Sequence, residues 1–351
     1  MKSNYDVIII GGGQAGLVMG YALQKRAIEG FLILDANAEI GGSWQQYWDS
    51  VTLFSSAQYS SLDGLPFPAD DGYYPTRGDM IAYLRRYADH FALPVLGASR
   101  VHTIERTPLG FAVYTDDGRY YQARAVISAS GAFTKPHIPR LDGQSDFKGE
   151  QIHSYHYQRP ARFQGQRIVV IGSNNSAVQI GYELAQVADV SLAVRKKIQF
   201  TPTHKWGKDI FFFLHRTGFD MLPLGCHFNL CDSNAVYDDG QYQQAVEAGN
   251  PDSRPMFTRI TRDGVIWADG TAERVDTLLY ATGFCRNNKH YLTSLDALDD
   301  CGFPLEHKGV STTVDGLFYI GLEGQIAPAS ATVRGVSRDA HYIADKVITY
   351  L

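Results

Sequence analysis

Residues 5–16, which read YDVIIIGGGQAG, contain the pattern from which the fold is predicted. The run from Tyr5 to Ile10 is short, β-branched and apolar, which favours a buried parallel strand. Three glycines end this strand, and the residues from Leu17 to Ala27 continue with the apolar spacing of a helix. A second apolar run, from Phe31 to Leu34, ends at Asp35. The chain therefore begins with a predicted β-α-β unit of about 30 residues.

The glycines of this unit have the spacing GxGxxG, directly between a predicted strand and a predicted helix. The first glycine of such a turn allows the bend, the second lets a pyrophosphate approach the backbone, and the third lets the helix pack on the strand. Asp35 follows 19 positions after the last glycine, and a carboxylate there accepts hydrogen bonds from ribose hydroxyls but repels a 2′-phosphate. The residues predicted to hold this dinucleotide are Gly11, Gly13, Gln14, Ala15, Gly16 and Asp35.

A second strand–loop–helix pattern begins at Arg167. Strands are predicted over Ile168–Ile171 and Val190–Val194, with a helix over Ser176–Ala188 between them. In the loop, Asn174 stands where the first motif has its second glycine. Asn adopts positive φ more readily than most residues, so the tight turn is expected to survive there.

This second unit ends in basic residues, because Arg195 and Lys196 follow its second strand in place of an acid. Two cations at the adenosine ribose suit a 2′-phosphate, so the unit predicts NADPH, with NADH left open. An acidic ribose site and a basic one in the same chain imply FAD and NADPH, a pairing that means flavin reduction by a nicotinamide. The residues predicted to hold NADPH are Gly172, Asn174, Asn175, Ser176, Ala177, Arg195 and Lys196.

Apolar periodicity predicts further elements outside the two units. They are helices over Asp79–Phe91 and about Gly335–Tyr350, and strands over Ala125–Ala129, Thr277–Ala281 and Leu317–Ile320. Residues 200–260 are rich in aromatic side chains and show no regular pattern, so no elements are assigned to them.

The composition is that of a globular protein, because 44% of the 351 residues are hydrophobic and 20% are charged. This length predicts two domains. A formal charge of −5 and the lack of a Lys/Arg cluster argue against nucleic acid or a membrane as partner. No signal peptide, membrane helix or metal site is predicted. A cytoplasmic location is expected, because four cysteines are too few for a disulfide scaffold: Cys226, Cys231, Cys285 and Cys301.

Residues 147–157, FKGEQIHSYHY, resemble the FxGxxxHxxxW signature of class B flavoprotein monooxygenases. Phe147, Gly149 and His153 match that signature, and Tyr157 stands where Trp is usual. The segment lies just before the second nucleotide motif, as it does in that family. The sequence therefore resembles this family, and most of all the small bacterial flavin-containing monooxygenases of the sulfide-oxidising and arsenic-operon types.

Three other segments support the resemblance, which covers nearly the whole chain. Gly41–Trp44 resembles the GGxW loop of the family, Ala281–Phe284 its ATG motif, and Gly316–Gly321 with Ser330–Ala340 its C-terminal flavin-contacting segment. The resemblance adds the following candidate cofactor contacts: Gly42, Ser43, Trp44, Thr282, Gly283, Gly321 and Gln325.

The family implies an α/β fold with two Rossmann-like dinucleotide-binding domains, the NADPH domain being inserted into a discontinuous FAD domain. The expected FAD domain comprises residues 1–157 and 284–351, and the expected NADPH domain comprises residues 158–283. The predicted elements agree with this arrangement, because the C-terminal strand and helix need a sheet to join. A homodimer is an open expectation.

The resemblance also implies the chemistry. NADPH would reduce the flavin, which would capture O2 as a C4a-hydroperoxide and oxygenate a small soft nucleophile such as a thioether, an amine or an arsenical. His153 and Tyr157 are expected to support the domain linker and the nicotinamide position. Related enzymes have an Asn beside the flavin where this chain has Ser55 and Ser56, which would be weaker donors, so leakage to hydrogen peroxide is expected. These four are the candidate catalytic residues.

Other functions stay open on the sequence. Baeyer–Villiger oxidation of ketones needs an Arg near the flavin, and Arg334 is a candidate beside the C-terminal motif. A NAD(P)H–flavin oxidase or reductase needs no oxygenation step. A disulfide reductase needs a cysteine pair, and Cys226 and Cys231 have a suitable gap but an unsuitable place in the chain. A flavin-binding sensor would not need the second nucleotide unit.

Overall fold

The computed structural model describes residues 4–223, 235–285 and 289–351, and these ranges contain six helices and 21 strands. The helices are α1 (Gln14–Gln24), α2 (Arg77–His90), α3 (Asn175–Leu184), α4 (Ile210–Thr217), α5 (Gln241–Glu247) and α6 (Val333–Tyr350). The strands are β1 (Asn4–Ile10), β2 (Phe31–Leu34), β3 (Val95–Leu96), β4 (Val101–Thr107), β5 (Gly110–Thr115), β6 (Tyr120–Ser128), β7 (Glu150–His153), β8 (Arg167–Ile171), β9 (Asp189–Val194), β10 (Gln199–Thr201), β11 (His204–Lys205), β12 (Lys208–Asp209), β13 (Ala235–Tyr237), β14 (Asp252–Pro255), β15 (Arg259–Ile260), β16 (Gly264–Ile266), β17 (Ala272–Arg274), β18 (Thr277–Tyr280), β19 (Glu306–His307), β20 (Val310–Ser311) and β21 (Leu317–Tyr319).

The first sheet joins the two ends of the chain. Its order is β19-β20-β21-β6-β1-β2-β3, with the β4–β5 hairpin attached to β6. Strands β2, β1, β6 and β21 are parallel neighbours, and Phe318 in β21 pairs with Ile127 in β6. Helices α1 and α6 pack together on one face of this sheet, because both bury apolar stripes in the same core cluster.

The second sheet lies between these two parts of the chain and has the order β14-β9-β8-β18-β7, all parallel. Helix α3 buries Val178, Ile180 and Leu184 against its β8 and β9 strands. A small antiparallel sheet of β15, β16 and β17 packs on the opposite face through Trp267 and Phe257. No helix in the described ranges is long and apolar enough to cross a membrane.

The predicted fold class is confirmed: two Rossmann-like units lie in one α/β chain, and the second is inserted into the first. The first unit has the predicted elements, with Val7 paired to Phe31, although α1 ends at Gln24, before the predicted Ala27, which has a left-handed φ of 57°. Strand β7 already belongs to the second sheet, which therefore starts at Glu150. The boundaries after residues 157 and 283 stay predictions.

The region that the sequence left unassigned contains the short strands from β10 to β15 and helices α4 and α5. The sequences of α4 and β14 show why these elements were not predicted. Helix α4 has no fully buried residue, so its apolar positions form no core stripe. Strand β14 has the sequence DSRP, which is polar and ends in proline, and it lies at the edge of the second sheet, where such residues are tolerated.

The contact between α1 and β1 gives a direct test of the first unit. A Cβ at position 16 would overlap the Gly11 carbonyl oxygen, which is backbone and cannot turn away. We expect Gly16→Ala to lower the free energy of unfolding by about 2 kcal/mol or more, measured by urea denaturation.

The matched control for this variant is Gly72→Ala, because a Cβ at position 72 would meet nothing within 4 Å. Its free energy of unfolding should stay within about 0.5 kcal/mol of the parent protein. Equal effects of the two substitutions would contradict the close packing of α1 on β1.

Candidate functional site

In the first glycine turn, close packing excludes a side chain at Gly11 but leaves the space at Gly13 open. Gly11 has a φ of 112°, and a Cβ there would meet the Ala129 carbonyl oxygen at 2.5 Å. Gly13 caps α1 in an extended conformation with no side-chain partner. A Cβ on Gly13 would meet only Gly42 Cα, at 3.5 Å, which is an ordinary contact. Packing therefore does not require glycine at position 13, whereas a phosphate approaching the free N–H groups of α1 would.

Asp35 lies at the end of β2, directly beside this turn, and is 4% exposed. Its carboxylate accepts hydrogen bonds from the backbone N–H groups of Gly12 and of Asn37, the latter at 2.7 Å. The acid is thus held in place by the turn itself. Its position matches the one from which a carboxylate reaches a ribose in dinucleotide-binding folds.

The GGxW loop and the C-terminal segment meet above the same turn. Gln14 Oε1 accepts a hydrogen bond of 3.1 Å from Trp44 Nε1, and Gln14 Nε2 donates one of 3.1 Å to the Ala331 carbonyl. Gly42 has a φ of 53°, and a Cβ there would meet Gly13 Cα at 2.7 Å, while Ser43 follows it, half-buried. One glutamine in the first turn of α1 therefore ties together three distant parts of the chain.

The end of β21 completes this part of the site. Gly321 has a φ of 79°, and a Cβ there would lie 3.0 Å from Ala15 Cβ at the start of α1. Gln325 is buried, donates to the Tyr319 carbonyl at 2.6 Å and accepts from Leu322 N–H at 3.1 Å. Because both ends of its amide are used within the loop, Gln325 shapes the backbone near α1 and α6.

The second glycine turn repeats the first with one difference. Gly172 has a φ of 149°, and a Cβ there would meet the Ala281 carbonyl oxygen at 2.5 Å and Ala177 Cβ at 3.1 Å. Asn174 caps α3 with φ −97° and ψ −177°, close to the extended conformation of Gly13. The tight turn is therefore present with Asn at this position, as expected, but φ is negative there and the tolerance of Asn for positive φ is not needed.

The residues around this turn have different roles in the structure. The Asn175 side-chain amide accepts from Tyr237 N–H at 3.0 Å and donates to the Ala235 carbonyl at 3.3 Å, so it anchors β13. Ser176, the next residue, is half-buried. Arg195 and Lys196 are exposed directly after β9. They form no ion pair with any residue in the described ranges, which leaves both cations facing solvent.

His153 is 1% exposed and uses both ring nitrogens in hydrogen bonds. Nε2 donates to the Gly283 carbonyl at 2.9 Å, and Nδ1 accepts from Tyr155 N–H at 3.0 Å. Burial lowers the pKa of His153 to about 4, although the hydrogen bond to Gly283 opposes this shift. Both hydrogen bonds suit a neutral ring, so His153 is a fixed link between β7 and the ATG segment rather than an available acid or base.

Tyr157 is fully buried, stacks on Phe163 at 5.8 Å between ring centroids, and donates to Glu183 Oε2 at 2.9 Å. Burial, followed by the Glu183 charge, raises the pKa of Tyr157. Its hydroxyl is therefore a committed donor inside the second unit.

The two connections between the sheets run side by side. Gly283 has a φ of 76°, and its carbonyl accepts from His137 N–H at 2.9 Å as well as from His153. Thr282 Oγ1 donates to the His137 carbonyl, and Cys285 N–H donates to Lys135 at 2.8 Å. The ATG segment is thus held to the other connection by main-chain hydrogen bonds.

Ser55 and Ser56 both have their hydroxyl protons engaged. Ser60 Oγ donates to the carbonyls of Ser55 and Ser56 at 3.1 and 3.0 Å, so the Ser55 hydroxyl is the donor in its 2.9 Å contact with Ser60 Oγ. Ser56, 1% exposed, donates to Asp209 Oδ2 at 3.1 Å. A hydroxyl has one proton, and in this arrangement neither serine offers it to a ligand.

Three polar residues near this loop were missed by the sequence reasoning: Tyr74, Asp209 and Asp220. Asp209 stands immediately before the apolar run of α4, which is an N-cap signal that would have found the helix. Asp220 forms an ion pair with Arg334, and both side chains are 12% exposed. Arg334 is therefore committed to an acid of the inserted unit. Cys226 and Cys231 lie outside the described residues, whereas Cys285 and Cys301 are free thiols.

Comparison with known proteins places these features in a family. The family described as pyridine nucleotide-disulphide oxidoreductase matches residues 8–208. An uncharacterized oxidoreductase, CzcO-like, from Geobacillus kaustophilus is 32% identical over 100% of both chains. A probable indole-3-pyruvate monooxygenase, YUCCA7, from Arabidopsis thaliana is 25% identical and covers 95% of this chain and 86% of its own.

A solved structure agrees with these matches. The flavin-containing monooxygenase from Stenotrophomonas maltophilia is 34% identical, covers 100% of this chain and 99% of its own, and superimposes with a TM-score of 0.86. Two glycine turns, the histidine of the class B signature and near-complete coverage all lead to the same assignment. The chain belongs to the pyridine nucleotide-disulphide oxidoreductase family and, within it, to the flavin-containing monooxygenases.

Proposed function

We propose that this enzyme uses FAD and NADPH to transfer one oxygen atom from O2 to small soft nucleophiles, thioethers first, with amines and arsenicals as further candidates. One observation carries the proposal: the two glycine turns have the same backbone geometry but opposite charges at the strand ends that follow them. Asp35 follows β2, and Arg195 with Lys196 follows β9. Opposite charges suit two different dinucleotides.

The first site fits FAD. Its turn leaves the N-terminus of α1 free of side chains, and Asp35 stands beside it for the ribose. We assign FAD contacts to the turn and to the segments that meet on Gln14: Gly11, Gly13, Gln14, Ala15, Gly16, Asp35, Gly42, Ser43, Trp44, Gly321 and Gln325. When bound, FAD supplies the exchange of a hydride with the nicotinamide and the activation of O2.

The second site fits NADPH, with Gly172, Asn174 and Ser176 at the turn and Ala177 packing helix against strand. Thr282 and Gly283 lie between the two units, where we place the nicotinamide end. His153 would hold that segment through Gly283, and Tyr157 would hold α3 through Glu183. In this proposal both are positioning residues, because their polar atoms are used within the protein.

The oxygen-transfer region has apolar walls and engaged hydroxyls. Phe54 stacks on Tyr237 at 5.1 Å and on Phe211 at 6.0 Å between ring centroids, next to Ser55 and Ser56. Aromatic walls favour an apolar thioether over a charged substrate. Because both serine protons are engaged, we expect part of the reducing power to leave as hydrogen peroxide.

We further propose a cytoplasmic homodimer with domain boundaries after residues 157 and 283.

The function is tested by product balance. Purified holoenzyme is given NADPH, O2 and thioanisole, and NADPH consumption, sulfoxide and hydrogen peroxide are measured together. We expect sulfoxide and peroxide to add up to the NADPH consumed, with sulfoxide a clear fraction. Peroxide alone would make the protein an oxidase, and conversion of cyclohexanone without sulfoxide would favour Baeyer–Villiger chemistry. Unchanged turnover in the Cys226→Ser, Cys231→Ser variant would exclude a disulfide reductase.

The basic pair determines cofactor preference in this proposal. Removing both side chains in Arg195→Ala, Lys196→Ala should raise KM for NADPH about tenfold or more, because hydrogen bonds to a charged group contribute about 1.5–3 kcal/mol each. KM for NADH should change little. Lys197→Ala is the control, since Lys197 is the next exposed cation on the same loop. A similar rise in KM for both nucleotides would contradict recognition of the 2′-phosphate.

Burial of His153 makes the stability of the protein depend on pH. Its pKa is about 4 in the folded chain and about 6.5 when unfolded, so the unfolded state binds the extra proton first. The free energy of unfolding should therefore fall by about 2–3 kcal/mol as the pH drops from about 6.5 to about 4. His153→Gln keeps a donor for Gly283 and should lose this part of the slope, whereas exposed His156→Gln should keep it. Identical slopes in all three proteins would contradict a neutral, buried His153.

A further inference from the structure

Five polar side chains form a continuous hydrogen-bonded chain from the surface to the loop beside the proposed flavin site. Asp239 Oδ2 and His204 Nδ1 are 2.8 Å apart, and His204 Nε2 is 3.2 Å from Tyr74 Oη. Tyr74 Oη donates to Asp209 Oδ2 at 3.0 Å, and Ser56 Oγ donates to the same oxygen at 3.1 Å. These residues are called the polar chain below.

The polar chain runs from solvent into the interior. The side chains of His204 and Asp239 are 45% and 51% exposed at its outer end, and Tyr74 is half-buried. Asp209 is 9% exposed at its inner end, and Ser56 is almost fully buried. Solvent exposure therefore falls from Asp239 to Ser56, and every link is a hydrogen-bond contact with no apolar residue between, which is the arrangement that a proton path requires.

The donors and acceptors along the polar chain allow a proton to move inward. Hydrogen bonds from Thr203 and His204 lower the pKa of Asp239, although burial opposes this, so a carboxylate faces the His204 ring. Tyr74 and Ser56 share one oxygen of Asp209, so a proton that arrives there from Tyr74 is already next to Ser56. The other oxygen of Asp209 accepts from Phe211 N–H at 2.8 Å at the start of α4, which holds the carboxylate in this orientation.

We propose that the polar chain delivers from solvent the one proton that each turnover consumes. This inference rests on the proposed function: NADPH, O2, a thioether and one proton become NADP⁺, water and a sulfoxide. Tyr74 first gives its proton to the Asp209 carboxylate and regains one from His204, which takes its proton from solvent. The protonated Asp209 then donates to Ser56 Oγ, so Ser56 no longer needs its own proton for that contact and turns it toward the reacting oxygen. Each O–H bond that breaks is re-formed by the next donor outward, and Asp209 ends the turnover as a carboxylate.

The polar chain could instead be a contact that only holds the two units together, because Ser56 and Tyr74 belong to the first unit and Asp209 and His204 to the second. The two roles predict different kinetics. A contact that sets the position of the second unit affects hydride transfer from NADPH. A proton path affects the reaction with O2 and leaves the hydride step unchanged.

The test is Tyr74→Phe, which removes the central hydroxyl and keeps the ring. Anaerobic flavin reduction by NADPH should stay within about twofold of the parent enzyme, since no proton from solvent is needed there. Reoxidation by O2 should slow about 100-fold, at the lower end of what general acids contribute. The rate ratio between H2O and D2O should increase, and added imidazole should restore part of the rate.

The control is Tyr73→Phe, because Tyr73 is the neighbouring residue and its hydroxyl donates to Asp79 on the surface. It should match the parent enzyme in both half-reactions. Equal slowing of reduction and reoxidation by Tyr74→Phe, or no slowing of either, would overturn the proposal. If the parent enzyme forms only hydrogen peroxide, the proposed function fails but this test still applies, because reduction of O2 to peroxide by NADPH also consumes one proton.

A second readout needs no bound cofactor. Tyr74→Phe, Asp209→Asn and the double variant form a double-mutant cycle in urea unfolding of the chain. A coupling between the two substitutions supports the hydrogen bond on which the path depends. Strict additivity would show that Tyr74 and Asp209 do not interact in solution and would overturn the proposal.

Discussion

The proposed site depends on how closely helix α1 lies against strand β1. Gly16 makes this approach and Gly11 fixes the turn before it, since a side chain at either position would overlap backbone atoms of the turn or of Ala129, just after β6. The same contact aims the free N–H groups of α1 at the space beside Asp35. It also places Gln14 where the GGxW loop and the C-terminal segment can both reach it. A change of an ångström in this helix would separate three parts of the chain that are distant in sequence.

The second unit is attached to this centre by contacts of two kinds. At the paired connections, main-chain hydrogen bonds and the neutral His153 ring hold the ATG segment rigidly. At the far end, Asp209 at the end of β12 accepts from Ser56, and Asp220, three residues after α4, forms an ion pair with Arg334. The first set suits a fixed geometry for hydride transfer. The second set brings charged and hydroxyl groups to the region where oxygen chemistry is proposed, so protons from solvent can reach that region.

The sequence predicted those features that local spacing determines. Both glycine turns, their strands and the acid at Asp35 follow from patterns within about 30 residues, and the structure contains them. The turn at Asn174 is present as predicted, although φ there is negative because it is set by the helix start and not by the residue type. The engagement of Ser56, Tyr74 and Asp209 could not be predicted, because segments more than 100 residues apart meet there. Helix α4 was missed because it has no core stripe, although its capping aspartate is visible in the sequence.

The central claim is that oxygen from O2 enters the substrate. The most direct measurement is the mass of the sulfoxide formed from thioanisole by the purified holoenzyme with NADPH under ¹⁸O2 in ordinary water, with catalase present. We expect sulfoxide that carries one ¹⁸O atom, and no product when NADPH is left out. Sulfoxide without the label would contradict oxygen transfer from O2. Consumption of NADPH without any oxygenated product would contradict it as well.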